Sequence, residues 1–598
     1  TNQLANTQYF TSSISNIIDT TTAVSTNNNH RLNMRLEYRI DSMNTLIITP
    51  SANIQKNTSD RSVGTGTIFK DGSPITQTLN TNINDAKRNG LNLNNNILYR
   101  RGFAKRGRSL TVGLNTSYND RTGESYINTF QRSFTNPSNF DDTASNRFTD
   151  QANNTLQLSA NISYSEPLGQ NSQLQFTYNP RLSKSESDQQ TFELNPIENK
   201  YTLFQDRLSN VLENRTVAQN GGLSYRWGDR DRMISFGVNY QSTNLKSNQT
   251  FPTRVTVNKT FNNVLPNAMI RYKLSSRSNI RLFYRSNVNE PSVTQLQGVI
   301  DVTNAPVYSI GNVNLNTQFM HMGSTQYTYT NPQKGLLFVA NVFYQTANDY
   351  IANATFTPRS DTVVGGVKLS PGSRITSPVN LDGYQNMRTN LTFAFPLSFM
   401  KSNFNLDAEW RYSNIPGITN SILNETRNTT YALGAGLVSN VSQYVDFNIS
   451  YRANFNQVRN EVQASANTEY YNHVISVQTN LLSKNGWFFQ NDFTNQYYDG
   501  LAEGFNQNYV LWNMSAGRKF LRGQKGELKL TVFDLLKQNQ SIIRNVTGEF
   551  IEDTRNQVLQ QYFMLYFTYN LRNFGTAAAR QQARGGGGFP GGGEGPRF

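Results

Sequence analysis

Apolar and polar residues alternate along this chain with a period of two, segment after segment. In Arg31-Leu32-Asn33-Met34-Arg35-Leu36-Glu37-Tyr38-Arg39-Ile40 every even position is apolar. Val445, Phe447, Ile449, Tyr451, Ala453 and Phe455 repeat the pattern against Asp446, Asn448, Ser450, Arg452, Asn454 and Asn456. Side chains of a strand point alternately to its two faces, so each segment is a strand with one face in an apolar medium and the other in water. Many segments run about ten residues, the length a tilted strand needs to cross a bilayer. The expected fold is all-β: a large closed antiparallel transmembrane β-barrel of the kind that crosses a Gram-negative cell outer membrane many times.

Only 36% of the 598 residues are hydrophobic and mean hydropathy is -0.58. A barrel tolerates this, because one face of each strand lines water and only an outward band must be apolar. With 36 Phe, 30 Tyr and 4 Trp, the chain is far too aromatic to be disordered. Asn, Thr, Ser, Tyr and Phe stay evenly mixed as far as residue 574, so residues 1–574 read as one barrel body. No stretch approaches the roughly 20 consecutive apolar residues of a membrane-spanning helix. No basic-then-apolar leader stands at Thr1, from which a mature or truncated chain is expected. Cysteine is absent, which excludes a disulfide framework and thiolate metal sites.

The net charge of +15 raises nucleic acid as a partner, but no nucleic-acid-binding motif accompanies the basic residues, and none is expected to bind. They are densest at Arg100, Arg101, Lys105, Arg106 and Arg108. Such a cluster is either a solvated turn or a contact for an acidic partner or for the phosphates of outer-membrane lipid and lipopolysaccharide.

Tight connections, rich in the Gly, Pro, Asn, Asp and Ser that turns demand, are expected at 41–44, 102–107, 167–170, 228–230, 275–277, 331–334, 396–401, 442–443, 484–485 and 522–524. Longer polar links lie between them, at 56–90, 120–153, 184–213 and 287–324. Short periplasmic turns and long extracellular loops are the pattern of outer-membrane barrels. One strand on each side of each short turn, a weak first strand at 8–19 and a last one at 560–573 give about 22 strands.

Two blocks resemble a known family. Asn289-Glu290-Pro291-Ser292-Val293-Thr294-Gln295-Leu296 leads through Gly311-Asn312-Val313-Asn314-Leu315 to a hairpin ending in Asp349-Tyr350-Ile351. This is similar to the barrel of TonB-dependent receptors, where Gly-Asn-Pro-x-Leu precedes a hairpin ending in Asp-x-Ile; Val313 stands in place of the proline. Val532-Phe533-Asp534-Leu535-Leu536-Lys537-Gln538-Asn539 and the strand after it resemble the closing strands of the Bacteroidota branch of outer-membrane barrels. The resemblance implies uptake or passage of a bulky solute, bound by the long outer loops and driven through a plug domain and a periplasmic energy-coupling protein. No plug is evident in the chain. A non-transporting barrel, a structural or docking subunit beside other outer-membrane or surface lipoprotein subunits of an assembly or secretion complex, is the alternative.

In the last strand Phe563, Leu565, Phe567, Tyr569 and Leu571 share one face, expected to meet lipid, and Tyr562, Met564, Tyr566, Thr568, Asn570 and Arg572 the other. The Gly-rich tail, 575–598, reads as a flexible end or as a partner-docking arm with Phe589 and Phe598 as anchors. No enzyme activity, cofactor or metal is expected. His30, His321 and His473 are the only histidines and lack zinc spacing. Met320-His321-Met322 hints at a soft-metal site or is a chance neighbourhood. His473 shares a face with Ile475 and Val477, as a residue of the membrane-interface girdle would. Asp301, Asp349 and Asp361 lack calcium-loop spacing.

Overall fold

The structure, a computed structural model, describes residues 2–569 except 10–13, 70–76, 137–138, 299, 302–306, 359–360, 366, 370–372, 440–441, 443, 463–466, 522–523, 549 and 558. The expected domain boundary at 574, the tail with Phe589 and Phe598, and Leu571 lie outside these residues. Antiparallel pairing of sequence neighbours runs round the chain, and 31 strands join in a single sheet. Several of them are pieces of one wall strand broken by a kink or bulge, as Ile14–Asn33 and Leu36–Arg39 are, so the wall is about 22 strands wide.

The short turns expected at 41–44, 102–107, 167–170, 228–230, 275–277, 331–334, 396–401 and 484–485 fall between strands as the sequence places them, while 443 and 522–523 of the other two lie outside the described residues. At the first, the Asp41 carboxylate accepts the Met43 and Asn44 amides at 2.7 and 2.8 Å, an Asx turn that joins Leu36–Arg39 to Asn44–Phe69. At another, Gly335 sits at φ +64, left-handed backbone that a glycine adopts without strain.

The polar links at 56–90, 120–153 and 184–213 are mostly not loops. Asn44–Phe69 pairs with Gln77–Gly102 without a break, and Ser109–Asn136 with Asn139–Pro167 up to Asn136↔Asn139. Their apolar alternation stops near the Ile54↔Leu91 pair, about ten residues above the turn, which is the width of the apolar band. Beyond it the hydrogen-bond ladder continues between strands that are mostly polar, with Leu79, Ile83, Tyr126, Phe130 and Phe140 as exposed exceptions. Strands of 26 to 29 residues, at about 3.3 Å per residue, therefore stand far outside a membrane.

The ends of the chain meet differently from expectation as well. The first strand is Asn2–Tyr9, while residues 14–19 already belong to the next one. Asn2–Tyr9 pairs with Ile14–Asn33 on one side and Phe550–Gln557 on the other. The last hairpin is broken midway. Asp534, at φ 49, accepts the Gln538 and Asn539 amides at 2.9 and 3.0 Å and folds 534–539 into a bulge between Gly526–Phe533 and Gln540–Val546. Below the bulge Gly526–Phe533 pairs with Tyr562–Tyr569 in the wall. Above it the hairpin turns inward.

Candidate functional site

Register fixes which residues share a face. Leu406↔Ala435, Trp410↔Tyr431, Leu433↔Ala453 and Ala435↔Tyr451 carry one apolar face across three strands, and Tyr431, Leu433 and Tyr451 on it are exposed. The intervening residues, among them Asn405, Asp407, Glu409, Arg411, Thr430, Arg452 and Asn454, form the opposite, inner face. Two elements fold against that face.

The first is the long link after Ser278–Asn289. The strands Arg232–Phe251 and Val255–Lys273 place Leu245, Val257 and Phe261 on the inner face, and Leu296 and Leu315 of the link bury themselves there. Glu290 accepts from Gln241 Nε2 at 2.7 Å and Thr243 Oγ1 at 2.9 Å. Ser292 and Gln295 close a capping box on the single-turn helix Val293–Leu296. The Gly-Asn-x-x-Leu block has a local cause: Gly311 donates to the Gln297 carbonyl at 2.8 Å, and a Cβ at 311 would collide with that oxygen. Asn312 accepts the Asn314 amide and donates to the Pro378 carbonyl, and Leu315 is fully buried.

The second is an inward leaf made of Gln540–Val546, Phe550–Gln557 and Asn2–Tyr9. Its Ile542 and Leu4 pack with Leu501, Phe505 and Tyr509, and its Ile551 with Val458. Arg544 and Asp553, directly opposite in the hairpin, form two parallel bonds of 2.6 Å with side chains 6% and 2% exposed. The guanidinium lies 4.7 Å from the Tyr470 ring centroid, and the Ala502 amide donates to Asp553. Gly548 and Gly417 let the hairpin tip approach the wall backbone, where Asn424 Nδ2 donates to the Gly548 carbonyl at 2.7 Å. Sequence reasoning missed this leaf. The signal was an Arg and an Asp nine residues apart around Thr547-Gly548.

Two of the five basic residues of the turn, Lys105 and Arg108, share one neighbouring carboxylate. Arg108 binds Glu166 through Nε and Nη2 at 2.8 and 2.9 Å, and Lys105 Nζ and Tyr164 Oη reach the same carboxylate. Hydrogen bonds from Arg108, then Lys105 and Tyr164, hold Glu166 well below the usual carboxylate range.

Of the last strand's apolar residues, Phe563, Leu565, Phe567 and Tyr569 are exposed on one face, the face of Leu528, Leu530 and Val532 opposite them. His321 accepts or donates at Tyr284 Oη, 2.8 Å away, while alternation puts Met320 and Met322 on the other side of their strand, so the three do not converge on one ion. His473 lies among Tyr451, Tyr471 and Tyr497 on the apolar face. His30 is exposed, and Asp349 sits in a turn beside Asp382. Among the described residues no three His, Asp or Glu side chains gather in a way that could hold a metal ion.

A sheet with one apolar exposed face, one polar inner face and short turns at one end is an integral outer-membrane β-barrel. The family model described as "Outer membrane protein beta-barrel family" matches residues 101–486. The chain belongs to that family, and it crosses the outer membrane many times. Solved structures of similar fold include the siderophore receptor PirA of Pseudomonas aeruginosa, at 10% identity and TM-score 0.38 over 94% of this chain and 80% of that one. The FrpB iron transporter of Neisseria meningitidis aligns at 10% identity and TM-score 0.41, over 94% and 81%. The hemophore receptor HasR of Serratia marcescens, solved with HasA and heme, aligns at 10% and 0.37, over 94% and 80%. No curated protein matches the chain.

Proposed function

We propose that the barrel passes a bulky polar solute across the outer membrane and catalyses no reaction. The observation that supports this reading most is the inner face. Polar and charged side chains line it, and a barrel of about 22 strands is too wide for wall side chains to fill. Residues 290–298 and 307–317 of the link and the inward leaf narrow that space from two sides, as elements that select a solute would. A plug or periplasmic energy-coupling protein is the partner such passage implies, and outer-membrane lipid and lipopolysaccharide are its surroundings. Proteoliposomes carrying the full chain test the reading: deleting 290–317 should raise the swelling rate in a neutral oligosaccharide several-fold while leaving heat-dependent gel mobility intact. No swelling in either protein counts against passage.

The alternative, a structural or docking subunit, draws on the paired extensions 56–69 with 77–90 and 120–136 with 139–153, which offer a broad outer surface. Pull-downs with either hairpin shortened, or with the 585–598 segment removed, should release a co-purifying surface protein if docking is the role, and leave swelling unchanged.

A further inference from the structure

One charge cluster on the inner face has more positive charge than its surroundings neutralise. The Glu409 carboxylate, its side chain only 5% exposed, takes three guanidiniums: Arg388 Nε at 2.8 Å, Arg411 and Arg452. Arg388 and Arg411 stand directly opposite each other on adjacent strands, an arrangement of like charges that a sheet disfavours. Arg452 reaches Glu409 over the intervening strand, where the residues opposite the two are Gly434 and Ala432; these small side chains leave the path open. Asp407, two residues from Glu409 on the same face, accepts Thr392 Oγ1 at 2.6 Å. Counting it, three cations still face two anions. Each guanidinium has five N–H donors. Glu409, Asn390 and Asn454 take only a few of them, and the three side chains keep 38 to 52% of their surface open.

Beside the cluster lies a recess of about 380 Å³ lined by Arg411, Asn386, Ser413, Thr430, Asn454 and Asn472. Every one of these groups can donate a hydrogen bond. The recess continues to Tyr470, the ring against which the inward leaf holds Arg544, so it lies beneath that leaf.

We propose that this recess and the cluster at its edge form an oxyanion site in the barrel lumen, which takes a carboxylate or phosphate group of the passing solute on the fork of Arg411, the one that lines the recess, with Arg388 and Arg452 beside it on Glu409. The proposal rests on the passage reading above and names the chemistry of the solute. Glu409 acts as a built-in counter-ion: it holds the three forks in place and leaves their outer donors for the ligand. Planar guanidinium forks match carboxylate and phosphate oxygens in pairs.

The test is calorimetric titration of the purified full chain in detergent, at fixed ionic strength, with pyrophosphate and with propane-1,2,3-tricarboxylate as probes. Saturable binding of at least one is expected, and which one binds identifies the preferred group. Arg388→Gln and Arg411→Gln should each weaken binding about tenfold, Arg411→Lys less, and Arg281→Gln elsewhere on the inner face hardly at all. Glu409→Gln removes the internal competitor and should tighten binding several-fold, an effect that a purely structural ion cluster would not produce. If Arg411→Gln does not fold, as judged by gel mobility, Arg388→Gln and Glu409→Gln carry the test. Absence of saturable binding by the wild type, or one affinity across all variants, overturns the site. Binding without solute-dependent swelling of proteoliposomes would retain the site and remove the passage reading; swelling without binding would do the reverse.

Discussion

The two sides of this barrel extend their strands beyond the apolar band in opposite ways. Between Asn44 and Pro167 the extensions are uncovered hairpins, mostly polar, held by the ladder and by exposed side-chain contacts such as Tyr126 with Phe148. Between Ser402 and Leu482 the extensions are covered: Asn424, Thr426 and Val458 have no exposed surface, because the inward leaf packs on them. The difference teaches that a strand leaving the membrane has two stable outcomes. It stays solvated on both faces and needs only its partner, or it buries a face and must then satisfy every polar group on it. A bare hairpin tolerates change at almost any residue, whereas a covered extension does not.

Two ion pairs set the contrast in numbers. Arg132 and Asp142 face each other near the tip of a bare hairpin, with bonds of 2.7 and 2.7 Å, as Arg544 and Asp553 do in the leaf. Asp553→Ala leaves a buried guanidinium unpaired and should cost about 3 to 5 kcal/mol. Hydrogen exchange should show this as release of 540–557, with the wall below the bulge still protected. Asp142→Ala, at a solvated pair, should leave melting unchanged and raise exchange only slightly, at the hairpin tip. Equal effects of the two substitutions would erase the distinction between bare and covered extensions.

A smaller effect belongs to the wall itself. Phe567→Arg puts a charge on the apolar face, at about 2 to 4 kcal/mol near mid-bilayer, and should lower the membrane-inserted yield. Thr568→Arg on the opposite face should be much milder. Similar yields would deny that Phe563, Leu565, Phe567 and Tyr569 meet lipid.

Smaller still should be the cost of shortening a bare hairpin. Replacing 58–87, whose ends pair as Thr58↔Lys87, with an Asn-Gly turn takes partners from 14–26 and 124–133 but should leave insertion as it is, because the ladder below is untouched. A loss of insertion would show that the hairpins brace the wall.

The smallest effect is a pH dependence. The Arg132 hydrogen bonds hold the Asp142 carboxyl below its ordinary value. A depressed folded value gives stability that is present above the unfolded value, about 3.9, and is lost as pH falls through the folded one. Exchange at the hairpin tip should therefore be flat from neutral pH down to about 4 and rise below it. A rise near neutral pH would mean another group controls the tip.

The membrane band was legible in the sequence because lipid imposes alternation: Ile449 and Tyr451 must be apolar, and Ser450 and Arg452 are free not to be. The bare hairpins were not legible, since a ladder between strands with water on both sides asks nothing of residues such as Lys56, Ser59 or Asn82 beyond tolerance of extended backbone. The leaf escaped for another reason. Ile542 and Arg544 alternate as wall residues would, and period two tells which face a residue takes but not which layer its strand joins. Asp534 marks the break only through bonds to Gln538 and Asn539 that no pattern of hydropathy records. Gly311 to Leu315 could be singled out as a motif, though its role against Gln297 and Phe261 required the fold. The Glu409 cluster was scattered over 65 residues of chain and meets only through register.

The wall parts lipid from water residue by residue. The chain has no cysteine, so every single-cysteine variant carries one thiol. Scanning Phe447, Asn448, Ile449, Ser450, Tyr451 and Asn454 with a charged maleimide in proteoliposomes should label the even positions, which face the lumen, at least about tenfold faster than the odd ones, as strand geometry requires. Labelling without a period of two along this strand, or faster labelling at Phe447, Ile449 and Tyr451, would contradict it.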